Sequence, residues 1–243
     1  MQSFVDAFVV TFLVTFLLGS IPFGLIISKV FYKTDIREHG SGNIGTTNAI
    51  RTMGKLGGIS VFVLDFGKGL LSGFVGLWIG QLFLGIHGQE AAYGDLFSFL
   101  NPLSAAPIGS NEDKSVALVQ LLLALSFLGC TWGHIFSPWL KFKGGKGIAV
   151  AVGCVFVTYG VIGACIELAL FIILVVTTRY VSIGSVAAAV LCPFMGLYFF
   201  WGNWIAVLLC TLAGLTVLWA HRANMKRLIA GTEHRIGDKK KQV

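Results

Sequence analysis

Charge is scarce in this chain. Only 12% of its 243 residues are Asp, Glu, Lys or Arg, whereas 56% are hydrophobic. A water-soluble domain carries roughly twice that charged fraction. An aqueous globule is therefore excluded, and a mean hydropathy of +0.83 points to lipid as the main solvent. Acids are the rarer sign, 11 against 18 Lys and Arg. The basic surplus lies in short stretches between apolar runs, a pattern of membrane orientation and not of nucleic-acid binding.

Clustered thiols are also missing. Cys130, Cys154, Cys165, Cys192 and Cys210 all lie inside apolar runs and form no CxxC pair. They read as small buried hydrophobes, and no metal or other cofactor is expected. A basic leader is absent too: the first charge is Asp6, and the apolar run 4–30 is too long for a cleavable signal. That run is expected to remain as the first span.

What is present is a series of apolar segments at about 4–30, 56–80, 116–140, 147–178, 183–200 and 203–220. A span needs about 20 residues at a rise of about 1.5 Å each. As one helix, 147–178 would reach about 48 Å, well beyond a hydrocarbon core of about 30 Å. The alternative is two short helices with a turn near 159–163. Charge decides between them. With the turn, every Lys and Arg except Lys68 and Lys114 falls on one side, and Asp6, Glu90, Asp95, Glu112, Asp113 and Glu167 fall opposite. Basic residues favour the cytoplasmic side. The chain is thus expected to be all-α, a polytopic membrane helical bundle of seven transmembrane helices, with the N-terminus outside and the C-terminus cytoplasmic. It forms a single domain over 1–243, with an exterior loop at about 81–115, amphipathic around 91–103, and a basic cytoplasmic tail at about 222–243. No internal repeat of the transporter kind is visible.

That orientation brings three polar stretches to one compartment. The first is Ser41-Gly-Asn-Ile-Gly-Thr-Thr-Asn48, followed by Arg51. Ser41, Asn43, Thr46, Thr47 and Asn48 supply neutral hydrogen-bonding groups, more than a helix cap requires, and Arg51 supplies a planar charge suited to phosphate. A helix starting near Thr46 would add free N–H groups.

In the second stretch, Gly133-His134 precedes Lys141-Phe-Lys143-Gly144-Gly145-Lys146-Gly147. Three lysines around a Gly-Gly pair form a compact cationic loop whose amides suit an anion nest. The GxxxxGK[ST] loop of nucleotide hydrolases is absent. Positive-inside anchoring contributes to these lysines without explaining the glycines. His134 suits a polar cap and a ligand contact equally.

The third stretch contains His221, Asn224 and Arg227, which share a helix face at three-residue spacing, and then Glu233. The plainer reading, a basic tail drawn to anionic lipid, fits lysines 239–241 better than it fits this face. Within a span, Asp65 and Lys68 stand three apart. They suit an ion pair or a site, with Lys68 able to snorkel toward the cytoplasmic surface.

At these residues the sequence resembles the bacterial acyl-phosphate:glycerol-3-phosphate acyltransferase family, PlsY. The likeness covers nearly the whole chain. It takes in Gly19-Ser-Ile-Pro-Phe-Gly24, the SGNIGTTN…R loop, Asp65-Phe-Gly-Lys-Gly69, GHIFSPWLKFKGGKGIA, Arg179-Tyr-Val-Ser182 and HRANMKRLIAGTEHRIG. The exterior loop is longer than the family's usual one. The resemblance implies transfer of a fatty acyl group from acyl phosphate to the 1-hydroxyl of glycerol 3-phosphate, giving lysophosphatidic acid and phosphate at the bacterial inner membrane. It also implies a functional link to the enzyme that forms acyl phosphate.

Carried over by motif, the catalytic positions are Ser41, Arg51, His221 and Asn224. Asn43, Thr47, Asn48, Lys143, Gly144, Gly145 and Lys146 bind substrate, and Glu233 braces the site. On their own chemistry Lys68, His134 and Arg227 join the substrate-binding groups, and Asp65 the structural ones. Fixing two phosphates would align hydroxyl with carbonyl, and direct transfer would need no acyl-enzyme. The proton acceptor is either His221 or a substrate phosphate oxygen. The HxxxxD signature of thioester-dependent acyltransferases is absent, with Trp139 five residues after His134 and Lys226 five after His221. The rivals are an organic-phosphate transporter, which would need an anion path at the bilayer midplane, and a lipid scaffold.

Overall fold

A computed structural model of the chain describes residues 2–86 and 113–238. Its helices are α1 Gln2–Ser20, α2 Phe23–Phe31, α3 Thr46–Ile86, α4 Asp113–Ile135, α5 Ile148–Thr158, α6 Gly160–Thr178, α7 Val181–Phe199, α8 Trp204–Ala220 and α9 Arg222–Ile229. The protein is thus an all-helical membrane protein. Among the described residues five helical stretches are long and apolar enough to cross a bilayer, or six if the bent pair α8–α9 counts as one span.

Two expectations change. The run 4–30 is broken at Ile21–Pro22, because proline has no N–H to continue the ladder. The loop placed at 81–115 is helical at both ends, since α3 continues to Ile86 and α4 begins at Asp113. The amphipathic stretch 91–103, the acids Glu90, Asp95 and Glu112, and lysines 239–241 lie outside the described residues. Glu167 is buried among the helices, and its Oε1 has no hydrogen-bond partner.

The division of 147–178 is present. Gly160 takes φ of 68°, which L side chains rarely adopt, and separates α5 from α6. Ile148, Ala151 and Val155 of α5 line one cavity with Ala164, Leu168 and Phe171 of α6. The 19-residue α6 is long enough to span, so only α5 is short. Tyr159 anchors the turn, stacked on Phe199 at 5.4 Å and edge-on to Phe127.

The central column is α4. Its apolar window is 89% buried, against 22–44% for the other spans, and it packs against α1, α3, α5 and α8. Lipid gives little apolar driving force for this packing, so close backbone approach must supply it. Small residues on α3 allow that approach: a Cβ at Gly76 would lie 2.1 Å from Ser126 Oγ of α4, and one at Gly69 2.1 Å from the Val150 carbonyl oxygen of the neighbouring α5. Leu13, Leu17, Val63, Ile173 and Val176 face outward. At its N-terminal end α3 bends at Gly54 (φ 79°, ψ −175°), so 46–53 forms a separate short segment that carries Arg51.

Candidate active site

The loop before α3 is organised by one side chain. Asn48 is buried; its Nδ2 donates to the Ile36, His39 and Asn43 carbonyls at 3.0, 3.0 and 2.8 Å, and its Oδ1 accepts from Ser41 N at 2.8 Å. Asn43 Oδ1 accepts from Gly45 N at 2.9 Å. These contacts correct the expected role of Asn48, whose polar atoms hold the loop and are not free for substrate, while Asn43 commits only its oxygen to the turn. Ser41 and Thr47 are exposed, and neither hydroxyl has a hydrogen-bond partner among the described residues. Arg51, one turn beyond Thr47, is half-buried and in no ion pair among them.

The second loop docks onto the end of α4. Gly144 N donates to Ile135 O at 3.0 Å and Gly145 N to His134 O at 3.1 Å, so these amides satisfy helix-terminal carbonyls. A nest built from the Gly-Gly amides is therefore ruled out. The glycines serve close approach instead, since a Cβ at Gly144 would lie 2.0 Å from the His134 carbonyl oxygen. Lys141 and Phe142 both take positive φ, 53° and 60°, a strained pair that turns the chain sharply before Lys143. Lys143 is exposed, and Lys146 is half-buried just before the open first turn of α5.

Lys146 is the electrostatic centre. Burial lowers its pKa to about 8, helped by the positive charges of Arg227 and Arg51 and opposed by Glu233. His221 feels the charge of the same lysine. All three polar stretches thus contribute a residue around Lys146. Ser41, Thr47 and Lys143 make no described contact with this cluster.

The third stretch is held by a carboxylate. Glu233 Oε1 accepts from Asn224 Nδ2 at 2.7 Å and from the Ser182 hydroxyl, while Oε2 accepts from Arg227 Nε at 2.6 Å. Burial pushes the Glu233 carboxyl up, but the hydrogen bonds from Ser182, Asn224 and Arg227 outweigh it and leave its pKa lowered. Asn224 also donates to Ser182 Oγ at 2.8 Å, and its own Oδ1 is buried without a partner. His221 is buried, with Nδ1 2.8 Å from the Val217 carbonyl; that contact assigns the proton to Nδ1 and leaves Nε2 as the acceptor. Ser182, at the end of the Arg179-Tyr-Val-Ser182 stretch, joins the site unexpectedly, because its partners Asn224 and Glu233 stand 42 and 51 residues away.

Lys68 is placed differently from expectation. Its side chain is 1% exposed, and Nζ lies 2.8 Å from Ile21 O, 3.0 Å from His134 Nδ1 and 3.0 Å from Asp65 Oδ1. With two hydrogen bonds and its charge paired inside the bundle, it neither snorkels nor reaches a ligand, and its assignment as a substrate-binding group is corrected.

A narrow cavity of about 30 Å³ lies among α5–α8. Ile148 and Val217 line it, one turn or so from Lys146 and His221. Among the described residues no three His, Cys, Asp or Glu side chains group as a metal ion would require.

Residues 9–231 match the family model described as glycerol-3-phosphate acyltransferase. A glycerol-3-phosphate acyltransferase of Thermosynechococcus vestitus is 35% identical over 222 residues, covering 91% of this chain and 91% of that protein. One of Bacillus cereus is 35% identical over 226 residues, covering 93% of each. The crystal structure of PlsY (YgiH), described as an integral membrane glycerol 3-phosphate acyltransferase, aligns in its glycerol 3-phosphate form with a TM-score of 0.70 and 28% identity, over 95% of this chain and 96% of that one. Its lysophosphatidic acid form aligns with a TM-score of 0.68, at 28% identity and 95% of each chain.

Proposed function

This chain belongs to the glycerol-3-phosphate acyltransferase family, and we propose that it moves a fatty acyl group from acyl phosphate to the 1-hydroxyl of glycerol 3-phosphate. The observation that carries the reading is the gathering of Arg51, Arg227 and His221 around Lys146. Arg51, Lys146 and Arg227, three cationic groups from separate parts of the chain, suit two anionic substrates, one phosphate a permanent handle and the other the leaving group.

In the proposed step the C1 hydroxyl oxygen attacks the acyl carbonyl carbon, and the bond from that carbon to the phosphate oxygen breaks. Lysophosphatidic acid and inorganic phosphate leave. His221 Nε2, the free acceptor of its ring, takes the hydroxyl proton. Acyl phosphate is an activated anhydride, so a weak base suffices. Lys146 and Arg51 hold phosphate oxygens and offset the charge that develops on them. Ser41 and Thr47 offer uncommitted hydroxyls to the glycerol end, with Lys143 at the rim. Asn48 and Asn43 shape the loop that presents them, Gly144 and Gly145 seat Lys146, and Glu233 braces Asn224 and Arg227.

The same reading takes seven crossings: α1–α2 together, then α3, α4, α5, α6, α7 and α8, with the N-terminus outside and the site at the cytoplasmic face of a bacterial inner membrane. The break at Gly160 and the distribution of Lys and Arg support it. The donor would come from an enzyme that forms acyl phosphate.

Purified protein in detergent or liposomes, given acyl phosphate and glycerol 3-phosphate, is expected to release phosphate and lysophosphatidate in equal amounts. Counterflow of glycerol 3-phosphate without acyl transfer would overturn the reading in favour of a transporter.

A further inference from the structure

Asp65 and Lys68 stand one turn apart on α3, and Lys68 meets His134 near the C-terminal end of the next helix, α4. Such groups are rare and functional inside membranes. A Lys ammonium carries three N–H donors and no acceptor. Lys68 has three partners: Asp65 Oδ1 at 3.0 Å, the Ile21 carbonyl at 2.8 Å and His134 Nδ1 at 3.0 Å. The Ile21 carbonyl is available because the helix breaks at Pro22.

From this geometry we propose that Lys68 fixes the tautomer of His134, with Nδ1 the acceptor and the proton on Nε2, and that the Nε2–H is a neutral donor in the anion site. Asp65 cannot compete for Nδ1, because its Oδ1 lies 3.8 Å away, beyond hydrogen-bond reach. Nε2 has no hydrogen-bond partner among the described residues and faces Gly145, where a Cβ would lie 2.1 Å from it. Gly145 is the residue before Lys146. The ring's N–H edge thus meets the backbone one residue before Lys146. A neutral donor there adds a hydrogen bond to an anion without adding charge beside Lys146, Arg51 and Arg227. Lys68, which touches no substrate, is a positioning residue. The second half of the proposal rests on the phosphate-site reading above; the first half does not.

The experiment has two arms that fail separately. In protein labelled with 15N-histidine, two-bond 15N–1H correlations report the tautomer of each ring. His134, identified by its loss in His134→Gln, is expected as the Nε2–H form in wild type and as a mixture of tautomers in the double variant Asp65→Asn/Lys68→Met. The double variant removes both charges, so neither is left buried alone. An Nδ1–H ring in wild type overturns the lock, whatever the protein's activity and whether or not the double variant folds.

The other arm measures competitive inhibition by inorganic phosphate in folded His134→Gln and His134→Asn. A glutamine amide reaches the Nε2 position and an asparagine amide only the Nδ1 position. The inhibition constant is expected to rise about tenfold or more in His134→Asn, the scale of one hydrogen bond to a charged group, and to stay near wild type in His134→Gln. Equal constants in both variants and wild type overturn the donor role while leaving the acyltransferase reading intact.

Discussion

Gly145 stands so close to His134 that a Cβ built on it would lie 2.1 Å from the imidazole Nε2. Gly145→Ala must therefore push the ring or lift the loop, and overpacking of this kind costs about 1–3 kcal/mol. Because the loop carries Lys146, the expected result is a fall in kcat/KM of tenfold or more in a protein that still inserts and folds. Comparing turnover with thermal stability in detergent checks it; wild-type kinetics would show that the loop's seat is not needed for the site.

Arg51 has no ion-pair partner among the described residues, so its removal leaves no charge stranded. Arg51→Ala and Ser41→Ala are expected to abolish turnover while the protein remains folded in the membrane. Phosphate release by purified variants, with the melting curve as control, measures this. Wild-type activity in Arg51→Ala would remove it from the site.

Alkaline pH should switch the site off. The pKa of Lys146 is lowered to about 8, so the charged form holds below that pH and is lost as pH rises through it. Bound anion favours the charged form and raises the pKa, so kcat/KM, which reports the free enzyme, should fall from about pH 8 while kcat falls at higher pH. Lys146→Arg should flatten the alkaline limb of kcat/KM, because guanidinium stays charged throughout. A profile with the same limb in Lys146→Arg would assign the titration to another group.

Glu233→Gln keeps the shape of the brace but discards its charge, which faces Asn224, Ser182 and Arg227. Arg227 is then free to swing away, and one amide oxygen must replace two carboxylate oxygens. A fall of roughly tenfold in kcat/KM is expected, the scale of a charge-assisted hydrogen bond. Steady-state kinetics of Glu233→Gln beside Arg227→Lys would test it; an unaffected Glu233→Gln would make the brace dispensable.

The apolar runs were legible because lipid imposes a length on helices, and length together with the placement of Lys and Arg divided 147–178 near Tyr159. The breaks at Pro22 and Gly54 were not, since an apolar run reads through a proline, and one bend cannot be singled out among 31 glycines. In the site, Arg51, Lys146, His221 and Arg227 were legible as charges at one membrane face. The burial of Lys68 was not: its partners Ile21 and His134 stand 47 and 66 residues away, and no local pattern carries that pairing. Asn48 and the Gly-Gly pair carried the right residue types, but which backbone atoms they meet depends on the folded loop.

Because α4 is enclosed on nearly all sides, bilayer thickness has little direct hold on it. A thinner or thicker host membrane acts first on the exposed outer helices, which meet the mismatch by tilting. His134, at the C-terminal end of that enclosed column, and the loop seated on it are insulated from the strain, so activity is expected to vary little between membranes whose lipids differ in length.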